Sequence, residues 1–424
     1  MRIWLPVLLT AFSAVSCQPA LKIAGKRVSN PLERILATYS ADFDSILSRP
    51  DIYEVQIIYT RIDRDKQQRP HFTSYHWNAD STRYFYPAST VKMPLALLAL
   101  ERINQLKRAG YPLLSRNTYY AMDSVRMYQQ HYYEDAGAPF QKPGIAHDIR
   151  QVFVVSDNLA YNHLFDFLGR ERINTALRAK GYTRTGIVHR FNYPGRDNRY
   201  ASPITFYDSK PLLQQAEQFD STTWRNPQHH LQKGVGYRDA RDSLVRAPFD
   251  FGSKNWFALT DMEKMLRAVL FPGAVPAQHR FDLTEDDYAF LLHYMGIFPR
   301  ECAFPRYDTA AYWDGYVKFF LFGDSRARQD GSVRVFNKVG EAYGTLTDVA
   351  YVVDFQNNVE FVLAATILCN VDGIFNDDRY DYDTVGFPFL AKLGRAVLEH
   401  EQKRRRKISP DLSRFRQALL VGQD

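Results

Sequence analysis

Apolar residues recur at helical spacing from Pro94 to Leu106, with Leu95, Leu97, Leu98, Leu100 and Ile103 on the periodic positions, and this pattern predicts a long helix. Similar patterns cover Leu32 to Leu47, Ile149 to Phe167, Arg170 to Lys180, Thr260 to Leu270, Glu285 to Tyr294 and Phe387 to Lys403. Strand-like runs lie elsewhere: Tyr53 to Ile62 and Phe72 to Trp77 early in the chain, and Arg334 to Phe336, Thr347 to Phe355 and Val359 to Leu368 late in it. Gln356-Asn357-Asn358 reads as the hairpin turn between the last two. Strands at both ends with helices between them do not suit a repeated β-α-β unit. They predict an α+β fold: an antiparallel sheet built from both chain ends and flanked by helices, with an inserted all-helical lobe over about residues 95–300. The crevice between sheet and lobe is then the natural place for a site.

The 45% hydrophobic and 24% charged residues of this 424-residue chain are those of a globular protein with a large core. Part of the +7 net charge sits in Lys403-Arg404-Arg405-Arg406-Lys407, which follows an apolar-periodic stretch and reads as the solvated end of a helix. No nucleic-acid partner is expected from it. Residues 1–17 combine a basic start, an apolar run too short to span a bilayer and small residues at its end, as a secretion signal does. Ala14-Val15-Ser16-Cys17 resembles the lipobox of bacterial lipoproteins, making Cys17 a lipidation site and the lipid the only membrane contact; ordinary cleavage after Ser16 is the alternative. The expectation is an exported monomer, periplasmic or cell-surface. Residues 18–35 read as a tether, 36–410 as the catalytic domain and 411–424 as a C-terminal tail. Cys302 and Cys369 are either one disulfide or two buried thiols, and neither has metal-ligand spacing. No metal or cofactor is expected.

Candidate chemistry comes from three short strings. Ser89-Thr90-Val91-Lys92 opens the long helix, so Ser89 and Lys92 share a face and an amine can reach a hydroxyl. A lysine buried among Tyr86, Met93 and Leu95 can lose its charge and act as a base, and the helix start favours negative charge developing nearby. Ser156-Asp157-Asn158 offers a hydroxyl that can pass a proton to a leaving nitrogen and an amide that can hold a substrate amide, with Asp157 fixing the turn. Lys338-Val339-Gly340 ends a strand with a positive charge toward the crevice and a glycine against which a substrate can lie. Each string alone is more readily read as a helix cap or a turn.

Taken in order, with Tyr343 to Asp348 and Asn255 to Leu266, the strings resemble S-x-x-K, S-D-N and K-T-G of the class A β-lactamase family, over roughly residues 36–405. The resemblance implies a β-lactamase/transpeptidase-like fold and assigns Ser89 as acylated nucleophile, Lys92 as general base and Ser156 as proton relay. It makes Asn158 a substrate ligand and Lys338 an electrostatic anchor, and builds the oxyanion hole from the backbone N–H of Ser89 and of Glu341. Two departures stand out. Counting from Leu177-Arg178-Ala179-Lys180-Gly181 places the deacylating glutamate of the family near Phe191, where no acid stands; Glu171 and Asp197 are the nearest carboxylates and His189 the nearest other base. Val339 replaces a hydroxyl residue that would contact a substrate carboxylate. An apparent insertion over about residues 192–250, containing His229-His230, reads as a surface flap near the site.

The resemblance implies a serine hydrolase opening a β-lactam-like amide through a Ser89 acyl-enzyme. A D-alanyl-D-alanine carboxypeptidase or related cell-wall peptidase is the alternative enzyme. A penicillin-binding sensor that acylates without turnover is the alternative from another class. The partner is correspondingly a small-molecule β-lactam or a cell-wall peptide.

Overall fold

A computed structural model describes residues 22–193 and 197–420. The leader assigned to residues 1–17, with Cys17, lies outside the described residues. Helices α1 (Pro31–Thr38) and α2 (Ser40–Leu47) precede strands β1 (Gln56–Arg64) and β2 (Pro70–Trp77). Helices α3 (Lys92–Arg108), α4 (Ile145–Val154), α5 (Asn158–Leu168), α6 (Arg170–Ala179), α7 (Leu259–Leu270) and α8 (Glu285–Gly296) follow. Strands β3 (Val333–Ala342), β4 (Thr345–Asp354) and β5 (Val359–Leu368) then lead to α9 (Phe387–Lys403) and α10 (Ser413–Leu420).

The five strands form one antiparallel sheet in the order β3-β4-β5-β1-β2, so early and late segments meet where Phe361 faces Arg61 and Thr366 faces Gln56. Both faces of the sheet are covered, and the period-2 alternation divides each central strand between two cores. Val349, Tyr351 and Val353 pack toward the helical lobe, whereas Ala350 and Val352 pack toward α1 and α9. This is the α+β architecture expected from the strand pattern.

Four boundaries differ from expectation. The tether assigned to residues 18–35 contains a hairpin, Lys22–Ile23 with Lys26–Arg27, and all of α1's first turn. Asn30 caps α1 by accepting from Glu33 N at 3.1 Å, and Ile23 and Leu32 are buried in the second core. The lobe is not all-helical, because Tyr119–Met122, Ile204–Asp208 and Lys210–Gln215 pair into a three-stranded sheet. The tail assigned to residues 411–424 includes α10, whose Phe415 and Ala418 enter the first core. The helical pattern Ile149 to Phe167 is two helices: Ser156 adopts φ +61°, and Asp157 caps α5 by accepting from Ala160 N at 2.8 Å.

The basic run at the end of α9 is divided: Lys403, Arg405 and Lys407 are exposed as expected, whereas Arg404 and Arg406 turn inward. Arg404 and Arg406 both close on the buried carboxylate of Glu401, and Arg404 also reaches Asp63 at 2.6 Å. Cys302 and Cys369 are separate buried thiols, so the disulfide alternative falls. The insertion folds as short strand pairs, Tyr200–Ala201 with Gln218–Phe219 and Gln232–Lys233 with Phe249–Asp250. A third, Gly236–Arg238, pairs with both Leu244–Val245 and Ile374–Phe375, which ties the insertion to the segment following β5.

Candidate active site

Ser89 sits in a short 3-10 turn, Ala88–Val91, that runs directly into α3. Ala88 before it has φ +45°, an unusual backbone for an alanine and a conformation that concentrates where side chains are aimed for function. Lys92, one helical turn on, is fully buried. Its Nζ lies 2.8 Å from Ser89 Oγ, 2.8 Å from Asn158 Oδ1 and 3.3 Å from Ser156 Oγ, and it also contacts the carbonyl oxygen of Ser156. The left-handed backbone of Ser156 turns that residue toward Lys92 at the α4–α5 break.

The third string arrives on β3, the edge strand. Lys338 is buried and its Nζ lies 2.8 Å from Ser156 Oγ, so the Ser156 hydroxyl bridges two lysines. Gly340 faces the nucleophile turn so closely that a Cβ there would stand 2.5 Å from the Pro87 carbonyl oxygen and 3.2 Å from Ala88 Cβ. Among the described residues no strand pairs with the outer edge of β3, which passes this turn and offers backbone groups to an extended substrate. Glu341 lines the same cavity of about 1150 Å³ as Ser89, Ser156 and Asn158. The fold thus brings Ser89, Lys92, Ser156, Asn158, Lys338 and Gly340 together from four elements, while Cys17 lies outside the described residues.

Charge is tuned by burial. Burial pushes the Lys92 amine down to about 7, against a smaller opposing effect of Asp157. Lys338 is lowered well below an ordinary lysine, first by burial and then by the charge of Lys92. A third lysine, Lys318, is buried behind β3, donating to Asn337 Oδ1 at 2.8 Å, and Asn337 in turn donates to Asp348 Oδ1 at 2.8 Å. The neutral form of Lys92 suits its surroundings: the Ser156 carbonyl and Asn158 Oδ1 can only accept, so they take the two N–H groups of an amine. Its lone pair is then left for the Ser89 hydroxyl proton.

Phe191 occupies the region where the sequence count expects a glutamate. Its ring centroid lies 5.2 Å from Lys92 Nζ, and its backbone is held at both ends by Asn162, through Asn162 Nδ2 to Phe191 O at 2.8 Å and Phe191 N to Asn162 Oδ1 at 2.9 Å. Asn255 Oδ1 accepts from Val188 N at 2.7 Å and His189 N at 3.0 Å, fixing the residues before it. The sequence assigns neither asparagine a role; the available signals were Asn162 standing four residues after Asn158 on one helix face and Asn255 opening the segment that resembles the family. His189 is stacked parallel to Tyr86, and its pKa is pushed down to about 4, chiefly by burial. Glu171 is not among the residues lining this cavity, and Asp197, which is, pairs with Arg199 at 2.7 Å.

Fold and site together have the layout of the β-lactamase-like serine enzymes. A model of the beta-lactamase enzyme family matches residues 54–280, more than half of the chain, and the chain belongs to that family. The matched range holds Ser89, Lys92, Ser156 and Asn158. No curated protein matches the chain. Similar solved structures include a β-lactamase from Sphaerobacter thermophilus at 13% identity, covering 88% of this chain and 98% of that one with a TM-score of 0.44. Another, PBP-A, stands at 14% identity over 88% and 96% of the two chains with a TM-score of 0.48. A β-lactamase from Xanthomonas campestris stands at 14% over 88% and 99% with a TM-score of 0.45.

Proposed function

We propose that the protein is a serine hydrolase that opens a β-lactam-like amide through an acyl-enzyme on Ser89. The observation that carries this reading is the buried Lys92 amine, 2.8 Å from Ser89 Oγ and titrating near neutrality. Neutral Lys92 takes the proton of Ser89 as its oxygen attacks the carbonyl carbon. The Ser156 hydroxyl, in contact with both Lys92 and Lys338, hands a proton to the departing nitrogen and is replenished from Lys92. Lys338 donates to the Ser156 hydroxyl and holds it in place, and the N–H groups of Ser89 and Glu341 receive the developing oxyanion. Water then releases the acyl group.

A specific observation favours a second reading of that last step. Phe191 stacks over Lys92 where the deacylating carboxylate would stand, so acylation has its base and deacylation has none beside it. A D-alanyl-D-alanine peptidase, or a sensor that stays acylated, fits a slow second step. Intact-mass spectrometry after incubation with benzylpenicillin separates these readings. The expected result is a covalent adduct on Ser89 that Ser89→Ala abolishes. An adduct cleared within seconds marks a β-lactamase, one that persists marks the peptidase or sensor, and no adduct with any β-lactam on folded protein overturns penicillin recognition altogether.

A further inference from the structure

We propose that Lys254, with the Tyr343 hydroxyl, forms a subsite for a carboxylate on the acyl side chain of the substrate. The inference rests on the acylation of Ser89 proposed above and names the substrate class of that site. Lys254 follows the insertion and lines the same cavity as Ser89. Its backbone is fixed, because Lys254 N donates to Phe251 O at 2.9 Å and Phe251 N donates to Leu231 O at 2.8 Å. Its Nζ lies 3.1 Å from the Tyr343 hydroxyl and stands over the rings of Tyr343 and Phe249 at 5.2 and 5.8 Å. Tyr343 in turn packs edge-on against Tyr86, with centroids 4.9 Å apart, three residues before the nucleophile.

Charge pairing singles out this lysine. Arg170 is matched by Asp220 at 2.6 Å, Arg190 by Asp166 and Arg199 by Asp197, whereas Lys254 has no carboxylate at ion-pair distance among the described residues. Glu341 also lines the cavity, beside Val339 on the same face of β3, but it makes no ion pair with Lys254 among the described residues. A half-buried ammonium on an aromatic floor, beside a hydroxyl that can donate, is a donor set suited to a carboxylate. Direction assigns the end of the substrate. Lys338 and Ser156 hold the leaving-nitrogen end, and β3 runs from Lys338 past Gly340 to Ala342, so Tyr343 and Lys254 lie where the acyl side chain emerges.

Benzylpenicillin and carbenicillin test this, since they differ by one carboxylate on the acyl side chain. Second-order rates of Ser89 acylation, followed by intact mass, are expected to favour carbenicillin by at least about tenfold in the native protein. Lys254→Met is expected to bring that ratio to near one, Lys254→Arg to keep most of it and Tyr343→Phe to lower it. Thermal melts of each variant show that the fold is retained. A native ratio at or below one, or a ratio that Lys254→Met leaves unchanged, overturns the inference while the acylation reading stands. Failure of both penicillins to acylate folded protein overturns both.

Discussion

The pH at which Lys92 gives up its proton sets the pH at which Ser89 can be activated. Burial holds the amine near pH 7 instead of 10.5, so the neutral base becomes abundant as pH rises through neutrality. The acylation rate constant is therefore expected to climb with pH and reach half its plateau near pH 7, measured from about pH 5 to about pH 9. A profile flat across that range would remove Lys92 from the base role. Stability carries the same signature with a definite sign. The folded pKa is below the unfolded one, so between about pH 7 and 10.5 the unfolded chain binds the extra proton and stability rises with pH. Lys318 and Lys338 contribute similarly, so the relevant quantity is the difference between the native protein and Lys92→Met. At this scale the sequence was informative: Ser89 and Lys92 three residues apart on one helix face is a local relation. Lys254 was invisible because its neighbours, Tyr343 and Phe249, meet it only when the insertion closes on the end of β3.

The loop from Ile187 to Phe191 is held in place by side chains of other elements. Asn162 on α5 bonds both the N–H and the C=O of Phe191, and Asn255 bonds the two residues before His189's successor, Val188 and His189. Any residue at position 191 is thereby aimed at Lys92. Phe191→Glu is accordingly expected to place a carboxylate beside the amine and shorten the lifetime of the Ser89 acyl-enzyme by at least about tenfold, within the usual range for a general base. The same charge should raise the Lys92 pKa and move the acylation profile to higher pH. An unchanged lifetime, by time-resolved intact mass, would show that this loop does not control deacylation. Counting from Leu177 located the loop correctly because helix α6 and the turn after it have a regular length. The three-stranded sheet in the lobe escaped notice for the opposite reason: Tyr119–Met122 and Ile204–Asp208 pair across a long separation, and neither run is long enough to announce itself.

The molecule is closed by segments distant in sequence. The β5–β1 pairing joins late and early strands, α1 and α9 cover one face, and α10 finishes the other. That α10 belongs to the core was not legible, because its apolar positions are few and follow the basic run, and their value depends on aromatic partners supplied by the sheet. Phe415 is buried with its ring centroid 4.6 Å from Tyr351, 5.6 Å from Phe336 and 5.8 Å from Phe271. Tyr351 and Phe336 stand on β4 and β3, so this cluster packs on the lobe face of the strand that carries Lys338. Removing a buried phenylalanine costs the transfer free energy of the ring plus the cavity it leaves. Phe415→Ala is expected to lower the unfolding free energy by about 3–5 kcal/mol, read from denaturant midpoints. Because none of these rings lines the cavity of Ser89, acylation at temperatures where the variant is folded should persist. A loss below about 1 kcal/mol would mean that α10 is dispensable, as a tail would be, and that β3 keeps its place without support from Phe415.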